Sequence, residues 1–167
     1  MIDKDGWFHT GDIGEFVENR FLKITDRKKE IFKTSGGKYI APQKIENKMK
    51  ESPFIEQVMV IGENQKFPAA LIVPSFAHLK KWCELKNISY STNEEMISHP
   101  EIVSRISEEI NTRNESLGKP EQIKKFELLP KEWTMDTGEL TATLKLKRKI
   151  IMENCKALVE KIYVEKI

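Results

Sequence analysis

Residues 55–73 read IEQVMVIGENQKFPAALIV, which is two runs of β-forming residues with a polar segment between them. Ile55 to Ile61 and Ala69 to Val73 are rich in the β-branched and apolar residues that strands prefer. The intervening Gly62-Glu63-Asn64-Gln65 is typical of a turn, so the two runs are predicted to pair antiparallel. We expect this pair to belong to a mixed sheet with helices packed on one side of it.

Helical signals flank this pair on both sides in the sequence. Pro42 is well placed as a first-turn residue for a helix that carries Ile45 and Met49 on one face. Downstream of the pair, Ser75 is placed to cap a helix that contains Cys83. The pattern therefore predicts one helix before the paired strands and one directly after them.

Two further helical segments follow. Thr92 and Glu95 have the spacing of a capping box before a short helical turn. After Pro100 we expect a one-sided amphipathic helix that ends near Gly118 and Pro120. Its apolar positions recur at helical spacing: Ile102, Val103, Ile106 and Ile110.

The two ends of the chain add a hairpin and a last helix. Residues 15–26 alternate as a hairpin around Glu18-Asn19-Arg20, with Asp12 and Asp26 expected near the two ends of this β unit. Ile123 to Leu129 is predicted to be another strand. The final segment places these apolar residues on one helical stripe: Ile150, Ile151, Leu158, Val159 and Ile162. The predicted class is α+β, with a small mixed or antiparallel sheet that has helices packed on it and follows a β-hairpin.

Composition limits the classes of function. The 167 residues carry 28 basic against 26 acidic groups, a formal net charge of +2, so bulk nucleic-acid binding is not expected. No apolar stretch approaches the roughly 20 residues of a transmembrane helix, and Met1 to Gly6 lack the core of a secretory signal. We therefore expect a cytoplasmic chain. Cys83 and Cys155 suit buried reduced thiols, and no metal-ligand spacing is visible.

Three polar residues near the first hairpin are candidates for nucleotide contacts. Asp12 follows Thr10-Gly11, and its carboxylate could accept hydrogen bonds from both ribose hydroxyls while the glycine allows close approach. Arg27 could reach ribose or phosphate oxygens with its planar fork of donors. Lys29 stands where the β unit gives way to the next segment, which is where a hinge between rigid bodies would lie. Taken singly, the same residues fit an ordinary turn and a solvated ion pair.

The remaining candidates are a glycine pair and a lysine. Ser35-Gly36-Gly37-Lys38 lacks the context of a dinucleotide or P-loop fingerprint, but its glycines could line a narrow channel for pantetheine or form a simple tight turn. Lys145 could bridge a substrate carboxylate oxygen and an α-phosphate, offsetting negative charge that develops at phosphorus. It would act as an electrostatic clamp and not as a base. The alternative is a solvated basic edge formed with Lys147, Arg148 and Lys149.

Three segments together resemble the C-terminal motifs of the adenylate-forming superfamily of acyl-CoA synthetases, luciferases and peptide-synthetase adenylation domains: Trp7 to Asp12, Asp26 to Gly37, and Leu140 to Arg148. The resemblance spans nearly the whole chain. The form of residues 140–148 and the helical insertion at about residues 76–118 are similar to the long-chain fatty acid:CoA ligase branch. The usual Ser-Gly-Lys of the superfamily is replaced by Thr143-Leu144-Lys145.

The resemblance implies a role for each candidate. Lys145 would serve the first half-reaction, Lys29 would be the pivot, and Gly36 and Gly37 would lie beside the pantetheine tunnel. Four residues would contact the nucleotide: Asp12, Arg27, Lys33 and Lys38. The family uses Mg-ATP and a fatty acid to form acyl-AMP and pyrophosphate; a domain rotation follows, and the thiol of CoA then displaces AMP.

The resemblance also implies a division of the chain. Residues 1–27 would be the C-terminal end of a large adenylation domain, with the hairpin and the approach to the hinge, and residues 28–167 would be the mobile lid. The family's phosphate loop, adenine-binding motif and acyl tunnel belong to that large domain, which is the expected partner and would bind most of the ATP and magnesium. The chain alone is therefore expected to be inactive. Peripheral membrane association of the full-length enzyme stays open.

Two alternatives remain at this point. One keeps the superfamily and changes the substrate to another carboxylic acid, or replaces CoA by a carrier-protein thiol. The other is a non-catalytic module whose basic edge at residues 145–149 docks on acidic lipid or nucleic acid.

Overall fold

The computed structural model describes residues 2–164, with residues 25–27 described by their backbone alone. The chain begins with a β-hairpin of β1 (Asp12–Val17) and β2 (Phe21–Arg27). Glu18 and Asn19 at its tip both have left-handed φ angles, of 54° and 51°. Two consecutive left-handed residues at a hairpin tip match the twist of the paired strands. The predicted hairpin and the turn role of Asn19 are confirmed.

The open end of this hairpin holds the first candidate residue. Asp12 pairs with Arg27 across the strands and Ile13 pairs with Asp26. Asp12 and Asp26 are thus at the two ends only along the chain, because pairing brings them side by side in space. A register shift occurs between Ile13 and Gly14. A Cβ atom added at Gly14 would lie 2.9 Å from the Lys23 carbonyl oxygen, so the position has no room for a side chain.

A second, smaller hairpin carries the glycine pair. It consists of β3 (Phe32–Lys33) and β4 (Tyr39–Ile40), which are antiparallel. Thr34 closes the turn, because its hydroxyl oxygen accepts a hydrogen bond of 3.2 Å from the Lys38 N–H. Gly37 has a φ of +81°, a conformation that favours glycine.

The central sheet has the strand order β5-β6-β7, made of β5 (Ile55–Ile61), β6 (Ala69–Pro74) and β7 (Lys125–Leu128). The first two strands pair antiparallel and β7 runs parallel to β6. The predicted mixed sheet is confirmed.

The helices pack on both faces of this sheet. Six helices are present in the described part of the chain: α1 (Pro42–Met49), α2 (Phe76–Lys86), α3 (Asn93–Ser98), α4 (Pro100–Asn114), α5 (Arg148–Asn154) and α6 (Lys156–Val164). Helices α1 to α4 share one core cluster with Val58 and Ile72, while Ile151 and Ile162 of the last two helices share a second cluster with Leu71. The prediction that helices pack on one side is wrong. Every residue of β6 is buried, and such a strand needs cover on both faces.

The helix ends differ in part from their predictions. The Thr92 hydroxyl accepts a hydrogen bond from the Glu95 N–H as predicted, but the Glu95 carboxylate accepts from the Ser91 N–H instead of completing the capping box. Ser75 occupies the N-cap of α2, yet its hydroxyl bonds to His78 and caps no N–H.

Two boundaries were also predicted wrongly. Helix α4 ends at Asn114, before Gly118, and the Asn114 side-chain amide pairs with both backbone groups of Ile123 at 2.9 and 3.0 Å. The expected single C-terminal helix is interrupted at Cys155, whose backbone leaves the helical conformation. Within residues 2–164 no helix is long and apolar enough to cross a membrane.

Candidate functional site

A cleft of about 360 Å³ lies where the first hairpin, α1 and the segment before α5 meet. It is lined by Asp12 from the hairpin, by Glu46 and Lys50 from α1, and by Lys145 and Arg148 from the far end of the chain. The fold therefore brings together Asp12 and Lys145, the two residues that sequence reasoning assigned to the ribose and to the reacting groups.

The position of Asp12 is set by its neighbours on the N-terminal side. The Thr10 hydroxyl oxygen accepts a hydrogen bond of 3.1 Å from the Asp12 N–H. Gly11 has a φ of +78°, and its carbonyl oxygen accepts from the Lys28 N–H at 2.8 Å. No atom lies within 4 Å of a Cβ added at Gly11, so backbone conformation and not lack of space favours glycine here.

Residues 139–147, called the lysine loop below, hold the backbone of Lys145. The Thr141 N–H donates to the Lys145 carbonyl oxygen at 2.9 Å, and the Lys145 N–H donates to the Thr141 hydroxyl oxygen at 3.0 Å. A bridge between Leu140 and Leu146 closes the base of the loop, and both leucines join the second core cluster. These contacts fold the loop back on itself, while the Lys145 side chain is exposed.

Leu144 stands where the Ser-Gly-Lys pattern of the resembled superfamily has its glycine. It has a left-handed φ of 57°, and its side chain is 68% exposed. A left-handed conformation costs a non-glycine residue roughly 1–2 kcal/mol. The backbone position therefore favours glycine even though this chain carries leucine there.

The Lys145 ammonium is available to an anionic ligand. Among residues 2–164 it has no ion-pair partner within 4 Å. A flexible cation without a fixed partner can follow a reacting phosphate or carboxylate. The arrangement suits the predicted electrostatic clamp.

Arg148 does not belong to a solvated basic edge. Its Nη2 donates to both carboxylate oxygens of Glu46 at 2.7 Å, and its Nη1 donates to the Val60 carbonyl oxygen at 3.3 Å. Its Nε donates to Glu30 at 3.3 Å. The alternative of a basic edge at residues 145–149 is therefore contradicted at Arg148, whose charge is turned inward and neutralised.

Sequence reasoning missed Glu46 as part of this site. The carboxylate is only 5% exposed and also accepts a hydrogen bond of 2.8 Å from the Val60 N–H. Burial raises the pKa of Glu46, while the charge of Arg148 and the Val60 N–H act in the opposite direction. The available signal was a glutamate beside Ile45 and three residues before Met49 on the apolar face of a helix, because a buried carboxylate needs a partner.

The other predicted site residues lie elsewhere. Lys29 lines a second cleft of about 330 Å³ together with Phe32 and Tyr163. Lys33, Gly36, Gly37 and Lys38 lie in or beside the second hairpin, and none of them lines the cleft of Asp12 and Lys145. The side chain of Arg27 lies outside the described residues. No group of three or more His, Cys, Asp or Glu in the described part of the chain could hold a metal ion.

Comparisons with known proteins give the family of the chain. The family model for the AMP-binding enzyme C-terminal domain matches residues 29–166. A long-chain-fatty-acid–CoA ligase of Mycobacterium tuberculosis is 38% identical over 160 residues, which are 95% of this chain and 27% of that protein. Long-chain-fatty-acid–CoA ligase 1 of Homo sapiens is 40% identical over 165 residues, covering 97% of this chain and 24% of that protein. The chain thus spans about a quarter of the length of these relatives.

Solved structures share this fold. One of them is the A domain of a carboxylic acid reductase from Segniliparus rugosus in complex with AMP and a co-purified carboxylic acid, with a TM-score of 0.76. Its sequence identity is 23%, and the match covers 98% of this chain and 24% of the reductase chain. The family match, the relatives and the fold agree with one another, and the chain belongs to the AMP-binding enzyme C-terminal domain family.

Proposed function

We propose that this chain is the mobile C-terminal lid of an AMP-forming long-chain fatty acid:CoA ligase. The observation that carries the proposal is the shared cleft of Asp12 and Lys145, which come from opposite ends of the chain. The relatives in Mycobacterium tuberculosis and Homo sapiens are named as long-chain-fatty-acid–CoA ligases, which supports the substrate class.

In the first half-reaction a carboxylate oxygen of the fatty acid attacks the α-phosphorus of ATP, and pyrophosphate leaves. Asp12 accepts hydrogen bonds from the ribose hydroxyls, with Arg27 assisting at the ribose or phosphates. Lys145 places its ammonium between the attacking carboxylate and the α-phosphate, where it stabilises the added negative charge. Magnesium would enter with ATP and be held mainly by the large adenylation domain.

In the second half-reaction the lid rotates about Lys29, and the thiol of CoA displaces AMP from the acyl-AMP. The second hairpin then faces the site. Gly36 and Gly37 line the pantetheine tunnel, while Lys33 and Lys38 contact the adenylate. This division of labour is supported by the separate locations of the second hairpin and the lysine loop in the fold.

The partner of this chain in the proposal is a large adenylation domain. The N-terminal hairpin and the segment before it expose several large apolar side chains: Trp7, Phe8, Phe16, Phe21, Leu22 and Ile24. Apolar surface of this kind is typical of an interface. In the proposal residues 1–27 are the C-terminal end of this large domain and pack against the rest of it, and residues 28–167 form the lid.

The test uses this chain in place of the matched C-terminal quarter of the Mycobacterium tuberculosis relative. We expect the chimera to release pyrophosphate and form acyl-CoA with long-chain fatty acids. Lys145→Ala should slow pyrophosphate release by about 100- to 1,000-fold and spare thioester formation from supplied acyl-AMP. Lys149→Ala, in the same basic stretch, is the matched control and should leave both steps unchanged.

Two outcomes would redirect the proposal. A chimera that prefers other carboxylic acids, or a carrier-protein thiol over CoA, would keep the family and change the substrate. Turnover by the 167-residue chain alone would contradict its role as a lid, because positioning by the large domain should supply most of the rate.

The proposal includes a cytoplasmic location with peripheral membrane contact by the full-length enzyme. Flotation of the full-length gene product with lipid vesicles tests that contact. If all of the protein stays in the bottom fraction and none rises with the vesicles, membrane contact is ruled out.

A further inference from the structure

We propose that Arg148 and Glu46 are positioning residues for Lys145, and that Glu30 extends this link to the hinge. The inference rests on the proposed function. Its basis is the set of contacts by which one guanidinium joins the lysine loop to α1, to β5 and to the segment beside Lys29.

The lysine loop needs a directional anchor. Residues 139–147 lie outside helices and longer strands, and the side chains that fasten the loop to the core are those of Leu140 and Leu146. Apolar contacts are not directional and tolerate small slides. Arg148 follows the loop immediately and begins α5, so its hydrogen bonds fix the loop's exit in direction as well as in distance.

The partner of this anchor is itself fixed. Glu46 is buried on α1, and one of its carboxylate oxygens accepts the Val60 N–H from β5 at 2.8 Å. Both of its oxygens also accept a hydrogen bond from the Arg148 Nη2 at 2.7 Å. The guanidinium therefore meets a carboxylate that is already oriented by the central sheet.

The contact with Glu30 connects this anchor to the hinge. Glu30 is the neighbour of Lys29, and its carboxylate lies 3.3 Å from the Arg148 Nε. Glu30 and Arg148 also line both clefts, so they stand between the hinge and the site. The lid can then rotate as one body from Glu30 onward and carry Lys145 with it.

Stability alone does not account for this arrangement. Buried ion pairs are often replaceable by apolar residues at no cost in stability, because desolvation offsets the attraction. An ammonium misplaced by about 1 Å, in contrast, can cost on the order of 100-fold in rate. The contacts of Arg148 and Glu46 therefore serve to place Lys145.

The test measures the two half-reactions separately in the full-length gene product. Arg148→Lys keeps the charge and loses the planar fork. We expect it to lower kcat for acyl-AMP formation by about 10- to 100-fold and to leave the KM for ATP and thioester formation from supplied acyl-AMP unchanged. Arg113→Lys is the matched control, because Arg113 also pairs with a buried glutamate, Glu109, but lies far along the chain on α4.

A second variant covers the case in which Arg148→Lys impairs folding. Glu30→Gln removes one charge from a partly exposed contact, and we expect a smaller but equally selective loss of acyl-AMP formation. Equal loss in both half-reactions, or no loss in either, would overturn the inference while leaving the proposed function intact. Failure of the wild-type protein to form acyl-AMP would overturn both.

Discussion

Gln57 and Trp133 form two hydrogen bonds with each other. The Gln57 Nε2 donates to the Trp133 carbonyl oxygen at 2.9 Å, and the Trp133 N–H donates to the Gln57 Oε1 at 2.7 Å. One side-chain amide thus satisfies both backbone groups of a buried residue, as a neighbouring strand would. The pair fastens the segment leading to the lysine loop onto β5.

Loss of this pairing should destabilise the chain. We expect Gln57→Ala to lower the free energy of unfolding by about 1–3 kcal/mol, because it leaves the Trp133 N–H and carbonyl without partners in a largely buried place. Urea denaturation followed by circular dichroism measures the change. Glu56→Ala, at the exposed neighbouring position of the same strand, is the control and should have little effect. Equal effects of the two variants would contradict the role given to Gln57.

Leu144→Gly should stabilise the chain slightly. Relief of the left-handed conformation gains roughly 1–2 kcal/mol, and the greater freedom of glycine in the unfolded chain removes about 0.5–1 kcal/mol of that gain. The same substitution at Leu85, another exposed leucine, in α2, should instead destabilise by up to about 1 kcal/mol. Thermal unfolding of both variants tests the opposite signs, and two losses of similar size would refute the prediction.

Cys83 and Cys155 should react slowly with alkylating reagents in the folded chain. Both are buried, and burial raises the pKa of each thiol, so little thiolate forms at pH 7. Mass spectrometry after timed iodoacetamide treatment should show little labelling without urea and rapid labelling of both in urea. Fast labelling of either thiol in the folded chain would be inconsistent with its described burial.

Glu46 should make the free energy of unfolding depend on pH, in a direction that can be predicted. Burial raises its folded pKa above the ordinary value of 4.5, so the folded chain holds this proton more tightly than the unfolded chain. The stability that Glu46 contributes is therefore greatest below about pH 4.5 and falls as the pH rises through the folded pKa. The nearby charges are Arg148, Glu30 and Lys50.

The measurement is the difference in free energy of unfolding between the wild type and Glu46→Gln at a series of pH values. As the pH rises, the wild type should lose stability relative to Glu46→Gln. A shift in favour of the wild type would mean that the attraction of Arg148 outweighs burial and lowers the pKa of Glu46.

Local signals in the sequence were sufficient for most of the fold. Alternation in residues 15–26, apolar runs at residues 55–73 and the Thr92 cap each depend on neighbours close in sequence, and each was confirmed. The packing of helices on both faces was missed, because the apolar character of β6 on both sides was interpreted as strand propensity and not as two buried faces.

Only part of the candidate site could be predicted, because some of its contacts join residues that are far apart in sequence. Asp12 and Lys145 were proposed as site residues from their motifs, and their shared cleft is a product of the tertiary fold. The pairing of Glu46 with Arg148 was not found, since the two residues are far apart in sequence and Arg148 stands among lysines that are exposed. The left-handed backbone at Leu144 was also hidden, because the residue type gives no sign of it.

The lysine loop shapes its own tip. The hydrogen bonds that fold residues 139–147 back on themselves are formed within those residues, and two leucines fasten the base. Such a segment can be exchanged between relatives and keep its internal form, while its placement on the recipient needs an apolar contact surface for both leucines and a partner for Arg148. Evolution could therefore vary the residues around the lysine without redesigning the body that carries it.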